Sequence, residues 1–116
     1  MLDLRDLMKK IQEQKQMNAN LSLEFDCIVE TDDPTPLIKV INYIINYLTP
    51  LTDKPLEISV NAQMSGVLFS FSIFTEETTF PPLSQQITEA LQVYNATYEV
   101  KQEEGKYYQI IITFTK

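Results

Sequence analysis

Asp33-Pro34-Thr35-Pro36-Leu37-Ile38-Lys39-Val40-Ile41-Asn42-Tyr43-Ile44-Ile45-Asn46-Tyr47-Leu48-Thr49-Pro50 is the stretch on which the fold turns. Leu37, Val40, Ile41, Ile44, Ile45 and Leu48 recur at spacings of three and four, which stacks them along one side of an α-helix. Asp33 stands where an N-cap carboxylate accepts the first free amides, Pro34 suits the first helical position, and Pro50 stops the run. Lys39, Asn42, Tyr43, Asn46 and Tyr47 fall on the other side, so amides four residues apart share a polar face with phenols beside them.

Working outward, the flanking segments read as strands and shorter helices. Residues 55–63, with Leu56, Ile58, Val60 and Ala62 inward, and residues 67–75, with Val67, Phe69, Phe71 and Ile73 inward, form a hairpin through Met64-Ser65-Gly66. Pro81-Pro82 opens a third helix with Leu83, Ile87, Ala90, Leu91 and Tyr94 on one face, ending near Asn95. A last hairpin runs from Thr97 to Gln102, turns at Glu103-Glu104-Gly105 and returns from Tyr107 to Thr115. On the N-terminal side, residues 2–19 carry Leu4, Leu7, Met8 and Ile11 on one helical face. Leu21, Leu23, Phe25, Cys27 and Val29 then alternate with polar residues as one half-buried strand, with Cys27 inward as an inert core thiol. The order α-β-α-β-β-α-β-β predicts an α+β two-layer sandwich in a single domain spanning 1–116. Its sheet is mixed, mainly antiparallel, of about five strands, and covered on one face by three helices.

Composition narrows the chemistry. The chain has 116 residues, a formal charge of -7, no His, one Cys and two Gly. The absence of imidazole excludes a His base, a phosphohistidine and His-ligated metal. Nine bases, four within the first fifteen residues and five scattered after them, argue against nucleic acid and anionic membranes as partners. No apolar run is long enough to span a bilayer. A lone cysteine and no secretory segment make a reducing cytoplasm the expected compartment.

Three stretches resemble the ATP-binding domain of sensor histidine kinases, the GHKL or Bergerat fold. Asp33-Pro34-Thr35-Pro36-Leu37 followed by Val40-Ile41-Asn42-Tyr43-Ile44-Ile45-Asn46 is similar to the family's N-box helix, with Asn42 and Asn46 at the matching positions. Leu56-Glu57-Ile58-Ser59-Val60 to Phe69-Ser70-Phe71-Ser72-Ile73 resembles its central hairpin. Ile87 to Phe114 is similar to its closing helix and hairpin. The family fold implies that Asn46 lies where Mg²⁺ and phosphate are held. It also implies that Asn42 occupies the place of the Glu general base of ATP-hydrolysing members, a proton transfer that an amide does not perform.

The departures point away from nucleotide chemistry. Where the family continues from this strand into an Asp-x-Gly-x-Gly loop and a long lid, the chain has Phe74-Thr75-Glu76-Glu77 and then Thr78-Thr79-Phe80-Pro81-Pro82, without a glycine. Both glycines, Gly66 and Gly105, are placed in hairpin turns. The resemblance therefore implies a non-catalytic pseudo-ATPase acting through a protein partner, with no cofactor. One alternative is a weak ATP or ADP sensor using Asn46, and another is an unrelated α+β interaction module. Asn42 and Asn46 read as solvated residues, as residual nucleotide contacts or as a partner contact. Tyr43, Tyr47 and Phe80 either fill the former cleft or present it to another protein. The Leu4, Leu7, Met8 and Ile11 stripe is narrow enough to pack on its own sheet or on a second copy, which makes residues 1–19 a candidate docking or dimerising helix. The acid pairs Asp32-Asp33, Glu76-Glu77 and Glu103-Glu104 read as solvated turns rather than as metal sites.

Overall fold

The architecture comes from a computed structural model, which describes residues 1–115. In chain order the elements are β1 (Leu2–Asp3), α1 (Leu4–Lys15), β2 (Ala19–Leu23), β3 (Ile28–Val29), α2 (Thr35–Leu48), a 3₁₀ turn (Thr49–Leu51), β4 (Leu56–Gln63), β5 (Gly66–Phe74), α3 (Gln86–Gln92), β6 (Ala96–Glu103) and β7 (Tyr107–Thr115). The main sheet has five strands in the order β2-β4-β5-β7-β6. β2 runs parallel to β4, with α2 in the crossover, and every other neighbouring pair is antiparallel. The mixed sheet under three helices matches the fold class expected from the sequence.

The alternation read in the central strands sets the core. Ile58, Val60, Val67, Phe69, Phe71, Ile73, Tyr108, Ile110, Ile112 and Phe114 are buried on one face of the sheet. They meet Leu37, Ile41, Ile44 and Leu48 of α2, Ile87 and Leu91 of α3, and Leu4, Met8 and Ile11 of α1 in one continuous cluster. Ser59, Asn61, Ser70, Ser72, Gln109 and Thr113 on the opposite face stay half-exposed. Gly66 opposes Thr115 at the start of β5, where a Cβ would collide with the Phe114 carbonyl, so backbone proximity requires glycine there.

Several boundaries differ from the sequence reading, each for a local reason. The first helix is shorter than 2–19. The Asp3 carboxylate accepts the Arg5 amide at 2.9 Å to start it at Leu4, and Gln16, at φ 50°, ends it in a left-handed cap. The expected single strand from Leu21 to Val29 is two strands, because Asp26 takes φ 61° and turns the chain out of the main sheet. β3 pairs instead with β1. Phe25, expected inward, lies in that turn at 72% exposure with its ring 4.1 Å from the Arg5 guanidinium. Cys27 is buried as expected, and burial raises its thiol pKa, helped by Glu24, Asp3 and Asp26. Ala62 is exposed near the end of β4 rather than inward. The third helix begins at Gln86 rather than at Pro81-Pro82, where the Ser84 hydroxyl accepts the Gln86 amide at 3.1 Å.

One side chain fixes the start of α2. The buried Tyr94 hydroxyl, just beyond α3, accepts the Leu37 amide at 2.9 Å and donates to the Asp33 carbonyl at 2.9 Å. The Asp33 carboxylate accepts the Thr35 amide at 3.0 Å, so local and distant oxygens together satisfy the free donors of the first turn. Tyr94→Phe should cost about 1–3 kcal/mol in urea-unfolding free energy, because it leaves the buried Leu37 amide without a partner. A loss below about 0.5 kcal/mol would show that the hydroxyl does not hold this helix start.

Candidate functional site

α2 carries the residues that the sequence singled out, and its helical twist divides them between two places. Ile41, Ile44, Ile45 and Leu48 anchor the helix to the sheet, which turns Tyr43 and Tyr47 toward the segment joining β5 to α3. Asn46 points the other way, toward the end of α1. Its side-chain oxygen accepts from Lys15 Nζ at 3.5 Å, beside an open groove of about 410 Å³ that also borders Asn18, Thr49, Asp53 and Lys54. Asn42 is half-buried one turn earlier. The amides and the phenols therefore serve different surroundings.

The β5–α3 connector, residues 75–85, is fastened along its length. At its start, Thr75 is buried, its amide donates to the Lys106 carbonyl at 3.0 Å and its hydroxyl donates to the Leu51 carbonyl. The Gly105 amide donates to the Glu77 carbonyl at 3.0 Å, tying the same segment to the β6–β7 turn. At its far end, the Tyr47 hydroxyl donates to the Pro81 carbonyl at 2.6 Å, and the Tyr43 hydroxyl accepts the Ser84 amide at 3.0 Å. Between these fastenings Phe80 turns inward, its ring centroid 4.4 Å from that of Tyr108. Tyr108 in turn lies 5.7 Å from Tyr47, and Tyr43 stacks on Tyr47 at 6.3 Å. Tyr43, Tyr47, Phe80 and Tyr108 thus form one aromatic cluster under the connector, of which the sequence had singled out all but Tyr108.

Tyr108 is the most buried phenol of the cluster, at 4% exposure. Burial is the main cause that raises its pKa, and the hydrogen-bonding contact with Tyr47, 3.4 Å between hydroxyl oxygens, adds to it. Tyr108 was missed because its neighbour Tyr107 has the same residue type and the hairpin register decides which one faces the helices. The pairing Ile73↔Tyr108 answers that, since Ile73 is core.

The candidate partner surface on α1 is placed differently. Leu4, Leu7, Met8 and Ile11 are all buried within the chain's own core, so the packing found is the internal one of the two that the stripe allows. Among the described residues no three Cys, Asp or Glu side chains converge as a metal-binding group, and the acid pairs lie apart in separate loops. No helix among the described residues is long and apolar enough to cross a membrane.

A mixed five-stranded sheet under three helices, with an N-box-like crossover helix and a closing helix followed by a hairpin, is the histidine-kinase-like GHKL ATPase fold, and the chain has that fold. It is similar to the histidine kinase domain of the E. coli osmosensor EnvZ, with a TM-score of 0.79 at 9% identity, over 98% of this chain and 86% of that one. The ATP-binding domain of PrrB from Mycobacterium tuberculosis superposes with a TM-score of 0.69 at 16% identity, covering 98% of this chain and 94% of that one. The cytoplasmic segment of histidine kinase QseC matches with a TM-score of 0.68 at 12% identity, over 99% and 76% of the two chains. No family model and no curated protein matches the sequence. At these identities the likeness is one of fold.

The Tyr108 environment gives an alkaline signature. The folded chain keeps this phenol neutral at pH values where the unfolded chain has ionised it, so its stabilisation is present below pH 10.0 and lost as pH rises above. Tyr94 shifts the same way, mainly through burial. Tyr108→Phe should therefore reduce, without abolishing, the fall in unfolding free energy measured by urea titration as pH passes 10.0. An unchanged alkaline fall would place the responsible groups elsewhere.

Proposed function

We propose that this chain is a non-catalytic, pseudo-ATPase version of the histidine-kinase-like domain and works through contacts with another protein. The observation that carries the reading is the aromatic cluster fastening a short connector down where the resembled family has its glycine loop and lid. A nucleotide entering beneath the connector would have to break the hydroxyl bonds of Tyr43 and Tyr47 and displace Phe80, although an open groove of about 400 Å³ lies beside it between α2 and α3, lined by Lys39, Tyr43 and Ile87. Pro81 and Pro82 also lack the amide donors that cradle phosphate at such a place, and Glu76 and Glu77 add repulsion. Asn42 in the place of a general base supports the absence of hydrolysis. A regulatory role in signal transduction, with no cofactor, follows from this reading. A cytoplasmic setting is supported by the lone, buried Cys27 and by the cytoplasmic origin of the QseC segment.

One observation favours a second reading. The groove beside Asn46 carries Lys15 and Lys54, cations able to attract a polyphosphate, although Asp53 shares it. In that case the chain would be a weak ATP or ADP sensor.

Thermal unfolding with and without millimolar Mg-ATP and Mg-ADP separates the two. Ligand at one hundred times its dissociation constant would add about 2.7 kcal/mol of stability. The proposal expects no shift. A clear shift that Asn46→Ala abolishes would replace the pseudo-ATPase reading with the sensor.

A further inference from the structure

We infer that β6 is a self-complementary edge through which two copies of this chain pair into one continuous sheet. β6 is the outer strand of the sheet, so one side of its backbone carries amides and carbonyls with no strand to receive them. Its side chains are exposed along almost the whole strand. On the helix-covered face, Tyr98 is half-buried and Val100 is 36% exposed, beside a groove of about 760 Å³ shared with Phe80, Leu83 and Tyr108. On the other face, Glu99, Lys101 and Glu103 alternate with them. Neither Glu99 nor Lys101 has an ion-pair partner among the described residues, whereas Glu103 is held by Lys106 at 2.9 Å.

Charge matching selects the partner and the register. A two-fold axis through Val100 makes an antiparallel pair in which Val100 opposes Val100, Tyr98 opposes Gln102 and Glu99 opposes Lys101 of the other copy, twice by symmetry. Residues directly opposite each other point to the same face, so the apolar positions of both copies stay on the helix side. Sliding by one pleat ruins the match: one direction sets Glu99 against Glu99, the other sets Lys101 against Lys101. A longer slip brings Lys101 opposite Glu103, but it sets Val100 against Glu104 in the turn and competes with Lys106. Charged edges usually keep strands apart, but this alternation is matched by its own copy in one register. A single paired edge buries less than the roughly 1,200 Å² of stable complexes, so the dimer is weak and forms at high chain concentration. The inference is independent of whether the chain binds nucleotide.

Sedimentation equilibrium over a wide concentration series tests it, using the wild-type chain, Glu99→Lys, Lys101→Glu and an equimolar mixture of the two variants. The wild type should rise from 13.4 kDa toward twice that mass with concentration. Each variant alone should stay monomeric with unchanged thermal unfolding, since positions 99 and 101 are exposed. The mixture should recover the dimer, because one edge then carries only lysine and the other only glutamate at those positions. A wild type that remains monomeric throughout would leave the edge to a strand from another protein and overturn self-pairing. A dimer that survives Lys101→Glu unchanged, or variants that abolish it without recovery on mixing, would also overturn it.

Discussion

The Tyr94 hydroxyl joins the beginning of α2 to the end of α3, adding a fixed point to helices that apolar packing holds on the sheet. A helix start exposes amides that need acceptors, and α2 begins at Pro34-Thr35 with only Asp33 nearby to help. By accepting the Leu37 amide and donating to the Asp33 carbonyl, Tyr94 closes that deficit from a distance of more than fifty residues along the chain. Its ring meets Phe114 edge-on, at 6.4 Å between centroids, so the same residue that caps α2 also packs onto β7. The sheet, the crossover helix and the closing helix are thereby set relative to one another at a single buried point.

The same device recurs at the connector. Tyr47 and Tyr43 present hydroxyls to the backbone of Pro81 and Ser84, and Thr75 presents one to Leu51. Each bond joins a rigid element to a stretch without regular structure. The region thus gains order from side chains, where the resembled domains have glycine-rich loops that require backbone freedom. That exchange of hydroxyl fastening for glycine freedom is the physical core of the pseudo-ATPase proposal.

Much of the fold was legible because periodicity is a direct image of burial. The spacing in Leu37 to Leu48 and the alternation in Val67 to Ile73 correspond to buried side chains at every position read as inward. Errors fell where a single backbone angle outweighs the pattern. Alternation continued from Leu21 to Val29, yet the left-handed turn at Asp26 broke the strand and put Phe25 in solvent. Pro81-Pro82 was read as a helix start, but the hydrogen bond from Tyr47 to the Pro81 carbonyl holds it as part of the connector. At the site, the tyrosines were visible as a pair on α2. Their targets were not, because Pro81 and Ser84 contribute backbone atoms, which residue identity does not reveal. Spacing along α2 sets Asn46 and Tyr47 about 100° apart, but it does not tell that one meets Lys15 and the other the connector.

The parallel pairing of β2 with β4 has a consequence for the order in which the chain organises. The β4–β5 and β6–β7 hairpins close over short turns, and their loop entropy is small. β2 meets β4 across the intervening α2, aligning Ala19 with Leu56 and Leu23 with Val60, and β5 meets β7 with Gly66 opposite Thr115. Both pairings join strands more than thirty residues apart, so each carries a larger loop-closure cost than either hairpin, and the hairpins are the pairings expected to close first.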